Sequence, residues 1–235
     1  MGAIFRREIK AFFTNPIGYV VLAVLFCISG FFFFIYNLSG GVADLSGVYS
    51  TLFTVVMLAL PFLTMRLFSE EKRQKTDQAL LTAPTGLTGI VLGKFFATML
   101  LFFIGLSITL VFAIIIATQT TPDWMVIAGN FLGLMLVGGL IVSIGVFISS
   151  LTESQIIAAL GTLAVSLLLM CVDLLSSLFS NIAWMADVTN FLSITSRYSD
   201  FTNGLIYYDN IVFFLTAQAL FIFLTVRILD SKRWN

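Results

Sequence analysis

The sequence predicts an all-α membrane protein: six transmembrane helices with both termini in the cytoplasm, an amphipathic interfacial helix at the N-terminus, and short outer-leaflet helices between spans five and six. Three observations predict it. The 235 residues are 59% hydrophobic and 10% charged, against about 45–50% and about 25% in soluble domains. Six apolar runs reach the roughly 20 residues a helix needs to cross a hydrocarbon core of about 30 Å. Eleven of the twelve Lys and Arg residues fall on one side of such a six-span chain, which marks that side as cytoplasmic. The chain reads as one membrane domain over 1–235, with no polar interval long enough for a soluble domain.

Residues 3–14 come first. Phe5, Ile9, Phe12 and Phe13 share one helical face, and Arg6, Lys10 and Thr14 another, the pattern of a short basic helix lying among headgroups. Asn15-Pro16 breaks it, and Pro16 suits the first turn of the next helix. Span one is Ile17–Tyr36, too long for the apolar part of a signal peptide and without a small-x-small cleavage site. Gly2 does not read as a myristoylation site, because position 6 is Arg6. Leu38-Ser39-Gly40-Gly41 spells part of an ATPase signature but sits on the outer side. Asn37-Leu38-Ser39 is a formal sequon with meaning only in a eukaryotic secretory pathway.

Span two is Tyr49–Phe68. The interval 69–92 follows, the one dense run of charge, and is expected to face water. Glu71 and Lys75 stand at i, i+4, as do Arg73 and Asp77. Thr76 or Asp77 can cap a short helix through Leu81, with Pro84 as its limit and Leu80 and Leu81 as an apolar knob. A helix that short needs a partner to dock on. Gly89 to Phe95 resembles a phosphate loop, but has three residues between glycines and Phe95 where Ser or Thr should bind magnesium. No ATP chemistry is expected in this chain.

Span three is Gly93–Ala117 and span four Met125–Ser149. Span four carries Gly129, Gly133, Gly138, Gly139, Ser143, Gly145 and Ser149, a small-residue face for close helix packing against a neighbour in this chain or another. The turn Leu151–Gln155, with Glu153, is a second cytoplasmic contact. Span five is Gln155–Ser176, with Asp173 near its outer end, and span six is Asn210–Leu229. The interval 177–209 is too apolar for a free linker and is expected to lie at, or dip into, the outer leaflet. Trp184, Tyr198, Tyr207 and Tyr208 fit an interfacial belt. Cys27 and Cys171 read as small buried hydrophobes. There is no His and no Cys cluster, so no metal site is expected; zero net charge gives no argument for nucleic acid.

These motifs carry a resemblance. Arg66, Ser69-Glu70-Glu71-Lys72-Arg73, then Thr76, Leu80, Leu81 and Pro84, then Ile90-Val91-Leu92-Gly93-Lys94-Phe95 resemble the loop of ABC-2 type transporter permeases. Gly89 departs from it, the family commonly having an acidic or larger residue there. The start (Glu8, then Phe12 to Tyr19) and the end (Phe201, Gly204-Leu205-Ile206, Phe223-Leu224-Thr225, Lys232-Arg233-Trp234) look like the gliding-motility (Gld-type) subgroup. The resemblance implies a multi-pass permease subunit, an exporter in a bacterial inner membrane. Two ABC ATPase subunits, which bind Mg-ATP, and a second permease, in a homodimer, are the implied partners. It implies a connecting helix with Arg6, Arg7 and Lys10, and ATPase coupling through Glu70, Glu71, Arg73, Thr76, Asp77, Leu80, Leu81, Thr82 and Glu153. It also implies an outer gate in 177–209 with Trp184, Asn190, Phe191 and Arg197. The alternative is a membrane scaffold that transmits force in an envelope or motility complex without moving a soluble substrate.

Overall fold

Twenty-eight residues of uninterrupted apolar helix, Trp124–Leu151, form the axis around which the other helices are arranged. The structure is a computed structural model that describes residues 1–76, 86–178 and 193–234. Among these, α1 is Gly2–Thr14, α2 Pro16–Phe33, α3 Ser46–Thr64, α4 Ser69–Arg73, α5 Leu87–Leu106, α6 Ile108–Ala117, α7 Trp124–Leu151, α8 Gln155–Leu178, α9 Ile194–Thr202 and α10 Tyr208–Trp234. Six stretches are long and apolar enough to cross a membrane: Pro16–Ser39, Ser46–Arg73, Leu87–Ala117, Trp124–Leu151, Gln155–Val172 and Tyr208–Ser231. They coincide with the six runs in the sequence.

The small-residue face of α7 explains its central place. A Cβ on Gly138 would lie 2.2 Å from the Phe102 ring of α5, one on Gly139 2.7 Å from Gln218 of α10, and one on Gly145 2.1 Å from Thr64 of α3. Every neighbour is in the same chain, so the stripe brings backbones together inside one subunit. The exposed apolar side chains instead lie along α2, α5, α6, α8 and α10, among them Phe31, Phe96, Ile114, Ile156, Leu168 and Phe223, as membrane-facing helices require. Cys27 and Cys171 are exposed too, not buried as expected.

Two irregularities shape the ends of the bundle. Pro61 lies inside α3, and the helix unwinds over Met65–Phe68 before restarting as α4. The backbone groups freed there are met by α7: the Ser149 hydroxyl accepts from the Phe68 and Ser69 amides (3.0 and 3.1 Å) and donates to the Met65 carbonyl at 3.1 Å. At the opposite end, α9 enters the bundle. Its N-cap Ser193 accepts from the Ser196 amide at 3.0 Å, its exit turn uses Gly204 at φ 75°, and Phe201 is fully buried against Gly129 and Gly133 of α7. The tilt of this segment into the bundle removes Tyr198 from the expected belt. Only 3% exposed, Tyr198 stacks on Phe53 and its hydroxyl donates towards Asn130 Oδ1 and the Tyr49 carbonyl, each at 3.3 Å. Tyr207 and Tyr208 remain exposed.

Candidate coupling site at the charged end of the bundle

The register of α1 differs from the expected one. Ile4, Glu8 and Phe12, at i, i+4, i+8, form its buried line, while Phe13 is exposed. The reason is a lane on α5. Gly93 leaves room for Ile4, whose Cγ2 would lie 3.1 Å from an added Cβ, and Gly89 faces Met1. The glycines that mimic a phosphate loop are thus the track on which α1 lies. This close approach carries the Glu8 carboxylate into the protein, where an isolated charge would be costly.

Glu8 is not isolated. Lys94, only 1% exposed, places Nζ 3.0 Å from Glu8 Oε1 and 3.0 Å from Glu71 Oε1, and donates to the Leu67 carbonyl at 2.6 Å. It also sits 5.0 Å from the Phe68 ring centroid. Arg7 donates to Glu8 Oε1 at 2.7 Å and pairs with Glu71 as well. Two cations and two carboxylates therefore join α1, α4 and α5 into one clasp of zero net charge. Burial opposes ionisation of Glu8, but Lys94 and Arg7 outweigh it and hold its pKa below the ordinary value. Burial likewise opposes the charge on Arg7, which Glu8 and Glu71 raise overall. Arg66 braces the same corner, 5.0 Å from the Phe12 ring centroid and 3.5 Å from the Ala11 carbonyl.

The charged run is therefore wired inwards more than its composition suggests. Ser69 and Lys72 are buried, and Lys72 donates to the Ser150 carbonyl at the end of α7. Lys94, at the head of span three and on the cytoplasmic side by the charge count, is the most enclosed member. Glu71 does not use Lys75; its side chain turns to Arg7 and Lys94. Glu70 accepts from Gln74 at 3.2 Å. Thr76 closes α4; the short helix expected after it, through Leu81, lies outside the described residues. The Thr76 amide donates to the Glu71 carbonyl at 2.9 Å and the Lys75 amide to Lys72 at 3.0 Å, a Schellman ending with Lys75 at φ 57°.

Exposed at this end are Arg6, Arg7, Lys10, Arg73, Gln74, Lys75, Thr76 and Glu153, Arg7 being the half-exposed member of the clasp. Asp77, Leu80, Leu81 and Thr82 lie outside the described residues, as do Trp184, Asn190, Phe191 and the Asp173 side chain. Arg197 is held at the other end, where it donates to Asn210 Oδ1 at 2.8 Å and lies 4.2 Å from the Phe213 ring centroid. Asn210 donates in turn to Asp200 at 2.8 Å, so α9 is tied to the start of α10. Sequence reasoning passed over three residues of the clasp and its support: Glu8, Lys94 and Ser149. The available signal was a carboxylate spaced four residues from both Ile4 and Phe12, and a lysine directly after a glycine at the head of an apolar run.

A family model described as ABC-2 family transporter protein matches residues 3–230. No protein in a curated collection matches the chain.

Proposed function

Since the chain belongs to the ABC-2 transporter family, a family of multi-pass membrane transport components that work with ABC ATPases, we propose that it is the permease subunit of an exporter in a bacterial inner membrane. The start and end of the chain support a place in the gliding-motility subgroup. The charged end of the bundle faces the cytoplasm, by the distribution of Lys and Arg. Two copies pair with two ATPase subunits, which bind and hydrolyse Mg-ATP.

The observation that carries the reading is the clasp. A force applied to the 69–92 loop acts on α4, and α4 is bonded to α1 and α5 through Glu71, and to α7 through Lys72 and Ser149. Movement of an ATPase subunit against this loop is thereby delivered to four helices together. The exposed Arg6, Lys10, Arg73 and Glu153 supply the outer contacts, and the loop residues Asp77, Leu80, Leu81 and Thr82 supply the knob. The segment 177–209 forms the outer closure, with α9 as its anchored root.

Replacing Leu80 and Leu81 with Asp should abolish co-purification with the ATPase while leaving the permease in the membrane. An unchanged complex with unchanged subunit ratio removes the loop from the interface. Substrate flux in proteoliposomes separates the exporter from a force-transmitting scaffold, which hydrolyses ATP without flux.

A further inference from the structure

Hydroxyls within membrane helices ordinarily bond back to a carbonyl three or four residues earlier, since lipid offers no partner. Thr51, Thr64, Thr98, Ser143, Thr162 and Thr225 all do so. Away from the ends of the spans, two hydroxyls among the described residues make no such bond: Ser50 and Thr54. They stand at i, i+4 on α3, about 6 and 12 Å from its start at 1.5 Å per residue. Both line one cavity of 610 Å³ between α3, α8 and α9. The third wall, α9, contributes Thr195, also without a bond among the described residues. Three hydroxyls without a bond therefore converge on one space, while the other Ser and Thr hydroxyls described away from the span ends are satisfied.

The rest of the wall joins an apolar side, Phe53, Leu167, Met170 and the ring of Tyr198, to a polar rim of Ser199, Thr202 and Asn203, in which the Ser199 and Thr202 hydroxyls bond back within α9. No charged side chain lines it among the described residues. The described lining offers hydroxyl donors and no cation to compensate a phosphate or carboxylate. Oxygen acceptors that carry no charge fit the donors, and a hydrocarbon body fits the aromatic and thioether wall. We propose that this cavity binds a neutral glycerolipid, of the diacylglycerol or glycosyl-diacylglycerol kind, by hydrogen bonds from Ser50, Thr54 and Thr195 to its ester or hydroxyl oxygens. The binding is a property of the single chain and does not depend on the transport reading.

Native mass spectrometry of the full chain, purified in detergent, tests it with dioleoylglycerol, a monoglucosyl diacylglycerol and dioleoylphosphatidylglycerol as probes. The wild type should retain the two neutral lipids in preference to the anionic one. The double variant Ser50→Ala/Thr54→Ala should lose about fivefold in retention for each hydroxyl, equivalent to about 1 kcal/mol per hydrogen bond. Its melting temperature should be unchanged, because neither hydroxyl is bonded among the described residues. Thr54→Trp should block retention by filling the cavity, and Thr54→Ser should preserve it. Equal retention by wild type and double variant, or equal retention of neutral and anionic lipids, would mean annular lipid only and overturns the proposal. Loss of retention in the absence of any ATPase is read separately from loss of flux, so the two readings fail independently.

Discussion

The two ends of α7 hold the bundle together by opposite means. At one, Ser149 and the Ser150 carbonyl receive α4, and α4 is fixed in turn by the ion pairs of Arg7, Glu8, Glu71 and Lys94. At the other, Gly129 and Gly133 receive Phe201, and Asn130 receives the Tyr198 hydroxyl. The first junction is charged and crosses three separate elements; the second is chiefly shape, with neutral hydrogen bonds. Charge pairs depend on each partner remaining in place and ionised, and close packing does not. The charged junction is thus suited to respond to a partner, and the packed one to hold still while it does.

Removing one member of the clasp should give the largest effect. Lys94→Ala removes the buried cation that Glu8 and Glu71 share and leaves them only the half-exposed Arg7, and should cost about 3 kcal/mol, the lower end of the penalty for breaking a buried ion pair. Replacing the pair together, Glu8→Leu with Lys94→Met, should recover most of that stability, since Arg7 and Glu71 still pair. It should not recover ATPase activity that depends on the permease if the clasp transmits force. Melting curves and coupled ATPase rates on the same samples distinguish the two roles. Recovery of both would reduce the clasp to a structural contact.

The packed end breaks differently. A Cβ on Gly129 would lie 2.8 Å from the Phe201 carbonyl oxygen, a backbone atom that cannot rotate away. Gly129→Ala should displace α9 and cost about 1–3 kcal/mol, as overpacking does. Hydrogen exchange should rise in 194–202 and stay unchanged in α4. A rise in both segments would mean that the two junctions are not independent.

The outline of this fold was legible because membrane helices announce themselves one at a time: each of the six spans is a local property of its own stretch. Register between helices is not local. Phe5, Ile9 and Phe13 outrank Glu8 on any scale of apolarity, yet Glu8 is the residue that turns inwards, because Gly89 and Gly93, more than eighty positions away, open a lane and Lys94 waits beneath it. The same holds for Tyr198, whose aromatic ring and hydroxyl suit an interface equally well as a site between Phe53 and Asn130. The inward pairing of Glu71 was hidden by Lys75, a locally plausible partner, which the helix ending turns away by placing it at positive φ. The glycines of α7 show the reverse case: their spacing announced close packing correctly, but only the assembled bundle identifies Phe102, Thr64, Gln218 and Phe201 as the neighbours.

Acid should loosen the charged junction and spare the packed one. Glu8 titrates below the ordinary 4.5 in the folded protein, so it binds protons more readily when unfolded. Its contribution to stability is full above 4.5 and is lost as pH falls through the folded value. Arg7 and Lys94 are the cations paired with Glu8, and Glu71 is the other carboxylate of the clasp. Exchange in α1 and α4 should therefore increase below pH 4.5 before exchange in α9 does. Simultaneous opening of all three would show that the clasp is not the acid-sensitive element.

The smallest expected effect lies at the C-terminal end of α4 and concerns backbone alone. Lys75 adopts φ 57°, a left-handed conformation that Gly adopts without the steric penalty of a Cβ. Its side chain is exposed and is not among the members of the clasp, so Lys75→Gly removes strain without removing an ion pair. The relief is offset by the greater freedom of Gly in the unfolded chain, leaving a net gain of about 0.5 kcal/mol. The substitution changes the helix ending and leaves Arg7, Glu8, Glu71 and Lys94 untouched. Coupled ATPase activity should therefore persist at the wild-type level with a slightly raised melting temperature. A fall in coupling without a fall in stability would mean that the Lys75 ammonium itself meets the partner, and would extend the coupling surface from the buried clasp to the exposed end of α4.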